Sequence, residues 1–366
     1  MEDIIDRKPD TQTETNIELD LQLFASNDAD ESPKAAPIIA PAHARKTEAF
    51  STIRQGNATN ALTKLKAVEG KTAKIDAITG TATITKGNFT LTIPQYIKLA
   101  GLKTSTYQLL DALTVALTVT GAKSPTVVIP LEEYMKRRGL KDRKEAKNQV
   151  KADMEVLRQA SITGEEKRGK NTVAYSFVNI ADSGEVKRNG DIVFTFGHTF
   201  YQMLISYPVM PYPTQLQTIN NKRNPNSYYL LRKIAEHKNM NIGKANEDTI
   251  AVKTLLSIAP YIPSLEEVMT GNRNISDRII TPFERDMDAL EETLIWNYCR
   301  SNGEPLTDEE LQSFSYDLFS SLMVKTSWKN YPDQTARLER KAERAEEAKA
   351  KSKKRTTSKK KAEITA

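Results

Sequence analysis

Residues 126–160 read TVVIPLEEYMKRRGLKDRKEAKNQVKADMEVLRQA, and this stretch decides the fold. Thr126-Val127-Val128-Ile129-Pro130 is a short β-branched run, the composition of a strand. From Leu131 to about Arg138 the pattern is helical, and it stops at Gly139, a residue type that closes helices in the left-handed conformation. Between Asp142 and Ala160, Ala146, Val150, Met154 and Leu157 recur on one face, while Arg143, Lys144, Lys147, Asn148 and Lys151 occupy the other. That spacing predicts a strongly amphipathic helix with a basic outer side.

On the N-terminal side, Leu109, Leu110, Leu113 and Leu117 predict a helix opening at Ser105. On the C-terminal side, Ser161-Ile162-Thr163 and Thr172 to Val178 predict two strands joined by a loop that carries Lys167, Arg168 and Lys170, with a third strand at Asp191 to Phe196. Helix, strand, helix, helix, hairpin is the order of a winged helix-turn-helix, in which the third helix enters the major groove and the hairpin flanks it. Gly139-Leu140-Lys141 is then the turn.

A similar order returns with helices at Ser227 to His237, Thr249 to Ile258 and Ser264 to Met269, and a fourth from Ser276 to about Leu290 that turns Ile279, Ile280, Phe283, Met287 and Leu290 inward. Pro282 does not suit a helix interior, but it suits the first turn of a helix that begins later. Leu294 to Cys299 is strand-like, Asn302-Gly303 is a turn dipeptide, Thr307 to Phe314 a small helix, and Leu322 to Thr326 a returning strand. The expected fold class is therefore α+β: two winged helix-turn-helix domains in tandem with disordered N- and C-terminal segments. The boundaries are an acidic arm and linker over 1–88, a first domain over 89–222, a second over 223–332 and a basic tail over 333–366.

The chain has 366 residues, 39% of them hydrophobic, enough for two separate cores. Its net charge is +6 and its pI about 9.0. Residues 1–50 hold eleven acids against five bases, and residues 337–366 hold twelve bases against five acids. A basic tail of that kind is either a solubilising segment or a nonspecific phosphate clamp. Cys299 is the single cysteine, which rules out an intrachain disulfide and a four-cysteine zinc site and suits a reducing compartment. No apolar run is long enough to cross a bilayer and Met1 to Asp10 is acidic and polar, so a soluble, cytoplasmic protein is expected.

No catalytic site, cofactor or metal is expected. His43, His198 and His237 lie far apart, which does not suit a metal-dependent nicking enzyme. Gly70-Lys71-Thr72 ends like a phosphate-binding loop, but Leu65 stands where that loop needs glycine. Glu132-Glu133 and Glu291-Glu292 read as solvated charge at helix ends, and Cys299 has no basic neighbour that would mark a reactive thiolate.

In layout and scattered positions, 90–332 resembles the iteron-binding plasmid replication initiators. The resemblance rests on Val127 to Glu132, the helix to Leu157, the strand Asp191 to Phe196 with the helix Gly197 to Leu204, the junction Asn226 to Arg232, and Ile279 to Arg285 with Leu290. It implies a protein that binds double-stranded DNA at origin repeats, opens the neighbouring duplex and recruits host initiator or helicase proteins, and that represses its own promoter as a homodimer. It further implies that the helix carrying Ile279 to Arg285 docks in DNA. The residues themselves show Arg278 and Arg285 standing among Glu284, Asp286 and Asp288, with Asn272, Arg273 and Asn274 adding donors just before, so the contacts of this helix are expected to be few and selective. The alternative is a winged-helix transcriptional regulator without initiator activity. A third reading, a phage structural protein, rests only on Leu19 to Ala25, which resembles the opening of several tailed-phage proteins and also suits a linear docking motif.

Overall fold

The computed structural model describes residues 38–39, 49–56, 59–60, 62, 74–86, 89–94, 103–168, 171–271, 274–312, 314–336, 338–339, 343 and 346. In chain order the first part comprises β1 (Ile38–Ile39), β2 (Phe50–Arg54), β3 (Lys74–Ile75), β4 (Ala82–Lys86), β5 (Phe89–Ile93), α1 (Thr104–Val119), β6 (Thr126–Pro130), α2 (Leu131–Arg138), α3 (Arg143–Gln159), β7 (Ser161–Arg168), β8 (Asn171–Asn179), β9 (Ala181–Val186), β10 (Asp191–Phe196), α4 (His198–Ser206), β11 (Val209–Pro213) and α5 (Gln215–Thr218). The second part comprises α6 (Ser227–Asn241), β12 (Thr249–Ala251), α7 (Val252–Leu256), α8 (Leu265–Thr270), a π-helical turn (Ser276–Ile280), α9 (Thr281–Asp288), β13 (Leu294–Cys299), α10 (Asp308–Gln312), α11 (Tyr316–Ser321) and β14 (Met323–Trp328). The protein is mixed α and β.

Local chemistry explains the two helices after β6. Gly139 adopts φ +65°. That conformation lets its N–H reach Lys136 O at 3.4 Å and the Leu140 N–H reach Met135 O at 2.9 Å, closing α2. The Asp142 carboxylate then accepts from the Glu145 N–H at 2.6 Å and opens α3. Ala146, Val150, Met154 and Leu157 are buried, as their spacing predicts. Helix α1 departs from an amphipathic pattern, since every residue from Thr104 to Thr118 is buried. Several of its polar groups are bonded internally: Thr114 and Thr118 donate to carbonyls one turn back at 2.8 and 2.7 Å, and Gln108 donates to Leu216 O at 2.9 Å.

Strand β6 pairs antiparallel with β10, and β10 with β9, while Ile38 and Ile39 lie parallel beside Val127 and Val128. The sheet order β6-β10-β9 recurs in the second part as β12-β14-β13. Each of these sheets follows a long helix, and each has its helices between the first strand and the last two. The hairpin expected beside α3 is not β7–β8. That pair extends a different sheet, β3-β4-β5-β7-β8, because Ile162 and Val178 align across the ladder with Leu91 and Ile84 and all four face the core. The hairpin on β6 is β9–β10, and β9 was not foreseen. Gly184 on β9 packs so closely on α3 that a Cβ there would run into Met154 Cε.

Part of the stretch assigned to an arm and linker is also built into the fold. Strand β2 pairs with β11, and β3 and β4 extend β5. Their runs are too short and too rich in Thr to read as core, yet Phe50, Ile53, Ala82 and Ile84 are buried. Pro282 is the second residue of α9, directly after the π-helical turn, whose Ser276 O accepts from the Thr281 N–H. The strand after Asn302-Gly303 returns only at Met323, with α10 and α11 in between.

One buried polar joint connects the two parts. Asp111 on α1 accepts from Tyr212 Oη at 3.1 Å and Tyr228 Oη at 2.7 Å, and forms an ion pair with Arg232 of α6. Burial, reinforced by the Asp111 charge, raises both phenol pKa values and keeps them as donors. Close by, Asp286 on α9 accepts from Asn226 N and Nδ2 at 2.9 and 2.8 Å, and Gln215 donates to Ala289 O at 2.9 Å. Arg232→Met leaves a buried carboxylate without its cation and should lower stability by about 3–5 kcal/mol in urea titration. Adding Asp111→Asn, which removes the stranded charge and keeps an acceptor for the phenols, should recover much of that loss.

A second buried acid lies on the inner face of α3. Asp153 accepts from Ser105 Oγ at 3.0 Å and Thr106 Oγ1 at 2.7 Å. Desolvation outweighs those bonds and the charges of Arg138 and Lys103, and pushes its carboxyl up to about 6 from the ordinary 3.8. An acid whose folded pKa exceeds its unfolded one binds its proton more tightly in the native state, so it removes stability as pH rises from about 4 to about 6, by at most about 3 kcal/mol. Urea titrations across that window should show Asp153→Asn gaining on the wild type as pH rises.

Candidate nucleic-acid interface

The basic face of α3 is built by its periodicity. With Ala146, Val150, Met154 and Leu157 against the core, Lys144, Asn148 and Lys151 are exposed and Lys147 is half-exposed, at spacings of three and four that place them in one stripe. Among the described residues none of these three lysines has an ion-pair partner. Of the acids on the helix, Asp153 is buried, Glu155 pairs with Arg158, and Glu145 is exposed beside the stripe.

Arg143 is differently engaged. Its Nη1 pairs with Glu132 at 2.7 Å and its Nη2 donates to Asn189 O at 3.1 Å. It thereby straps the first turn of α3 to the tip of the β9–β10 hairpin. That tip, Lys187-Arg188-Asn189-Gly190, is closed by Lys187 N to Asp191 O at 2.8 Å and Gly190 N to Lys187 O at 2.9 Å, and tied to α2 by Leu131 N to Gly190 O at 3.1 Å. Gly190 adopts φ +101°, and a Cβ there would sit 2.7 Å from Arg143 Nη2. Lys187 and Arg188 are exposed at the tip. Sequence reasoning missed both, although Asn189-Gly190 between Val186 and Ile192 is a hairpin signal.

Lys167 and Arg168 belong to β7, in the other sheet, and Lys170 lies outside the described residues. Asn272 and Arg273 lie outside them too. In the second part, Ile279, Ile280, Phe283, Met287 and Leu290 are buried as their spacing predicts. The polar residues are more committed than expected. Asn274 donates to Asp277 and accepts from its N–H at 3.3 Å, capping the π-helical turn. Arg285 places Nε and Nη2 3.0 and 2.9 Å from Asp286 Oδ1, the fully buried acid of the joint. Arg278 is half-exposed and lines a cleft with Lys253.

The outward side of this segment therefore carries Asp277, Thr281, Glu284 and Asp288 around Arg285. Glu284 accepts from Tyr298 Oη at 3.1 Å, with its pKa raised by burial, and Asp288 accepts from Trp296 Nε1 at 3.0 Å. The imbalance extends to the whole unit: residues 223–332 hold twelve bases and sixteen acids, whereas residues 89–222 hold eighteen bases and twelve acids.

The groups considered for catalysis do not converge. His198 is exposed at the start of α4 and the His237 Nε2 lies 2.9 Å from Asn246 O. Glu132 and Glu133 pair with Arg143 and Arg137. Cys299 is buried, with its thiol pKa raised by that burial. Among the described residues no cluster of His, Cys, Asp or Glu is arranged to hold a metal ion, and no helix is long and apolar enough to cross a membrane.

No known family and no curated protein matches the chain. Among solved structures, the selenomethionine form of domains 2 and 3 of RctB aligns at 10% identity over 72% of this chain and 98% of that one, with a TM-score of 0.39. A second structure of RctB domains 2 and 3 aligns at 9% identity over 70% of this chain and 91% of that one, with a TM-score of 0.34. Scores this low describe a loose likeness, and function has to be argued from the chain's own residues.

Proposed function

We propose that the chain is a DNA-binding replication initiator built from two winged helix-turn-helix modules, with the first module as its main point of attachment to the duplex. The observation that carries this reading is the unpaired row Lys144, Lys147 and Lys151 beside the exposed hairpin tip Lys187-Arg188. A helix with a cationic stripe flanked by a basic hairpin fits a major groove with phosphates on either side. Asn148 in the middle of the stripe offers a donor and an acceptor to base edges. Binding at origin repeats and recruitment of host replication proteins extend the reading by the resemblance in layout. Maintenance of a plasmid that carries the gene with its flanking DNA separates an initiator from a transcriptional regulator.

The second module takes a lesser part in this reading. An outward stripe with Asp277, Glu284 and Asp288 repels phosphates, and Arg285 is held by Asp286. Replacing Lys144, Lys147 and Lys151 with alanine should weaken binding to specific and random duplexes alike. It should also make the slope of log affinity against log salt shallower, by about 0.9 for each phosphate that is no longer neutralised. Arg285→Ala should leave the ratio of specific to random affinity unchanged in competition binding. A fall in that ratio of tenfold or more would return α9 to the role of reader.

A further inference from the structure

Three elements meet at the end of the β9–β10 hairpin: the start of α2, the first turn of α3 and the tip Lys187 to Gly190 itself. Backbone joins α2 to the tip, through Leu131 N and Gly190 O. A side chain joins α3 to both, since Arg143 bonds Glu132 of α2 through Nη1 and Asn189 O of the tip through Nη2. The tip is shaped to receive that guanidinium. Asn189 folds its side chain onto Asp191, accepting from Asp191 N at 3.0 Å and donating to Asp191 Oδ2 at 2.8 Å, which leaves its carbonyl for Arg143. Gly190 leaves open the space in which the fork lies. A lysine could not make both bonds in this way, because an ammonium is a point charge where the guanidinium is a planar fork.

The pair with Glu132 adds little to stability, since the two side chains are 46% and 81% exposed and water screens them. What it adds is direction. At the tip, Arg188 has no side-chain partner among the described residues, and Lys187 has Glu185 at 3.9 Å on an open surface. Two long cations on a loose tip would lose freedom on meeting phosphates, whereas a tip already held against α3 meets that cost in folding. We propose that Arg143 is a positioning residue for DNA binding that touches no nucleotide. Its fork holds Lys187 and Arg188 in register with the α3 row Lys144, Lys147 and Lys151, so that both sets of cations meet phosphates together. This role rests on the reading of α3 and the hairpin as the DNA interface, and it removes Arg143 from the contacts expected of that helix.

The test is a double-mutant cycle on the full chain, with affinity for a random-sequence duplex measured across a range of salt. In the wild-type background, Lys187→Ala with Arg188→Ala should make the slope of log affinity against log salt shallower by about 1.8, two phosphates at about 0.9 each. In an Arg143→Ala background the same two changes should shift the slope by less than about half as much. Arg143→Lys should behave as Arg143→Ala does, although it keeps the charge. Rescue by lysine, or independent and additive effects of Arg143 and the tip, would make Arg143 a phosphate contact and overturns the proposal. So does a wild-type slope that replacement of the tip leaves unchanged, even where loss of binding on replacing Lys144, Lys147 and Lys151 upholds the DNA-binding reading. Hydrogen exchange reads the strap with no DNA present, so failure of the proposed function is told apart from failure of the strap. Amides from Lys187 to Asp191 should exchange faster in Arg143→Ala and Arg143→Lys alike, and unchanged rates overturn the proposal whatever the chain binds.

Discussion

Asp111 is a carboxylate with almost no access to water, and the arrangement of both halves of the molecule follows from the need to neutralise it. Its cation comes from α6 and its phenol donors from α6 and β11, so the charge is compensated only when the second part is docked on α1. A buried pair of this kind adds little net stability compared with well-packed apolar groups, but separating the partners strands a charge in a low dielectric. The pair therefore acts as a constraint on geometry. Asp286 repeats the device a short distance away by collecting the Asn226 amides, and the two acids fix α6 against α1 and α9.

This constraint also engages Arg285, whose sequence position suggests a base-reading role. A buried acid in the joint attracts a cation from its own helix, and that cation then points along the surface and away from a ligand. The lysines of α3 meet no such demand, because the buried acid of that helix, Asp153, is met by hydroxyls and carries a raised pKa.

The helices were legible because their signals are local. Gly139, Asp142 and the spacing from Ala146 to Leu157 gave α2 and α3 to within a residue or two, and Phe283, Met287 and Leu290 gave the inner face of α9. Sheet partners were not legible. Ile162 and Val178 alternate as any half-buried hairpin does, and only the apolar run around Leu91, far off in sequence, determines which sheet they join. The site was half legible for the same reason. The α3 lysines follow from periodicity, while Lys187 and Arg188 depend on recognising β9, whose pattern of mostly exposed residues hides a strand. The strap through Arg143 required knowing that the hairpin tip returns to α2.

The π-helical turn at Ser276–Ile280 holds one residue more than an α-helical turn would need. It therefore sets the phase between what precedes it and α9. Loss of one codon between Arg278 and Thr281 would restore α-helical spacing and rotate Asp277 and Arg278 together by roughly 100° about the axis relative to α9. A single in-frame deletion there would thus re-phase Arg278 against α9, and it would also remove Ile279 or Ile280 from the core.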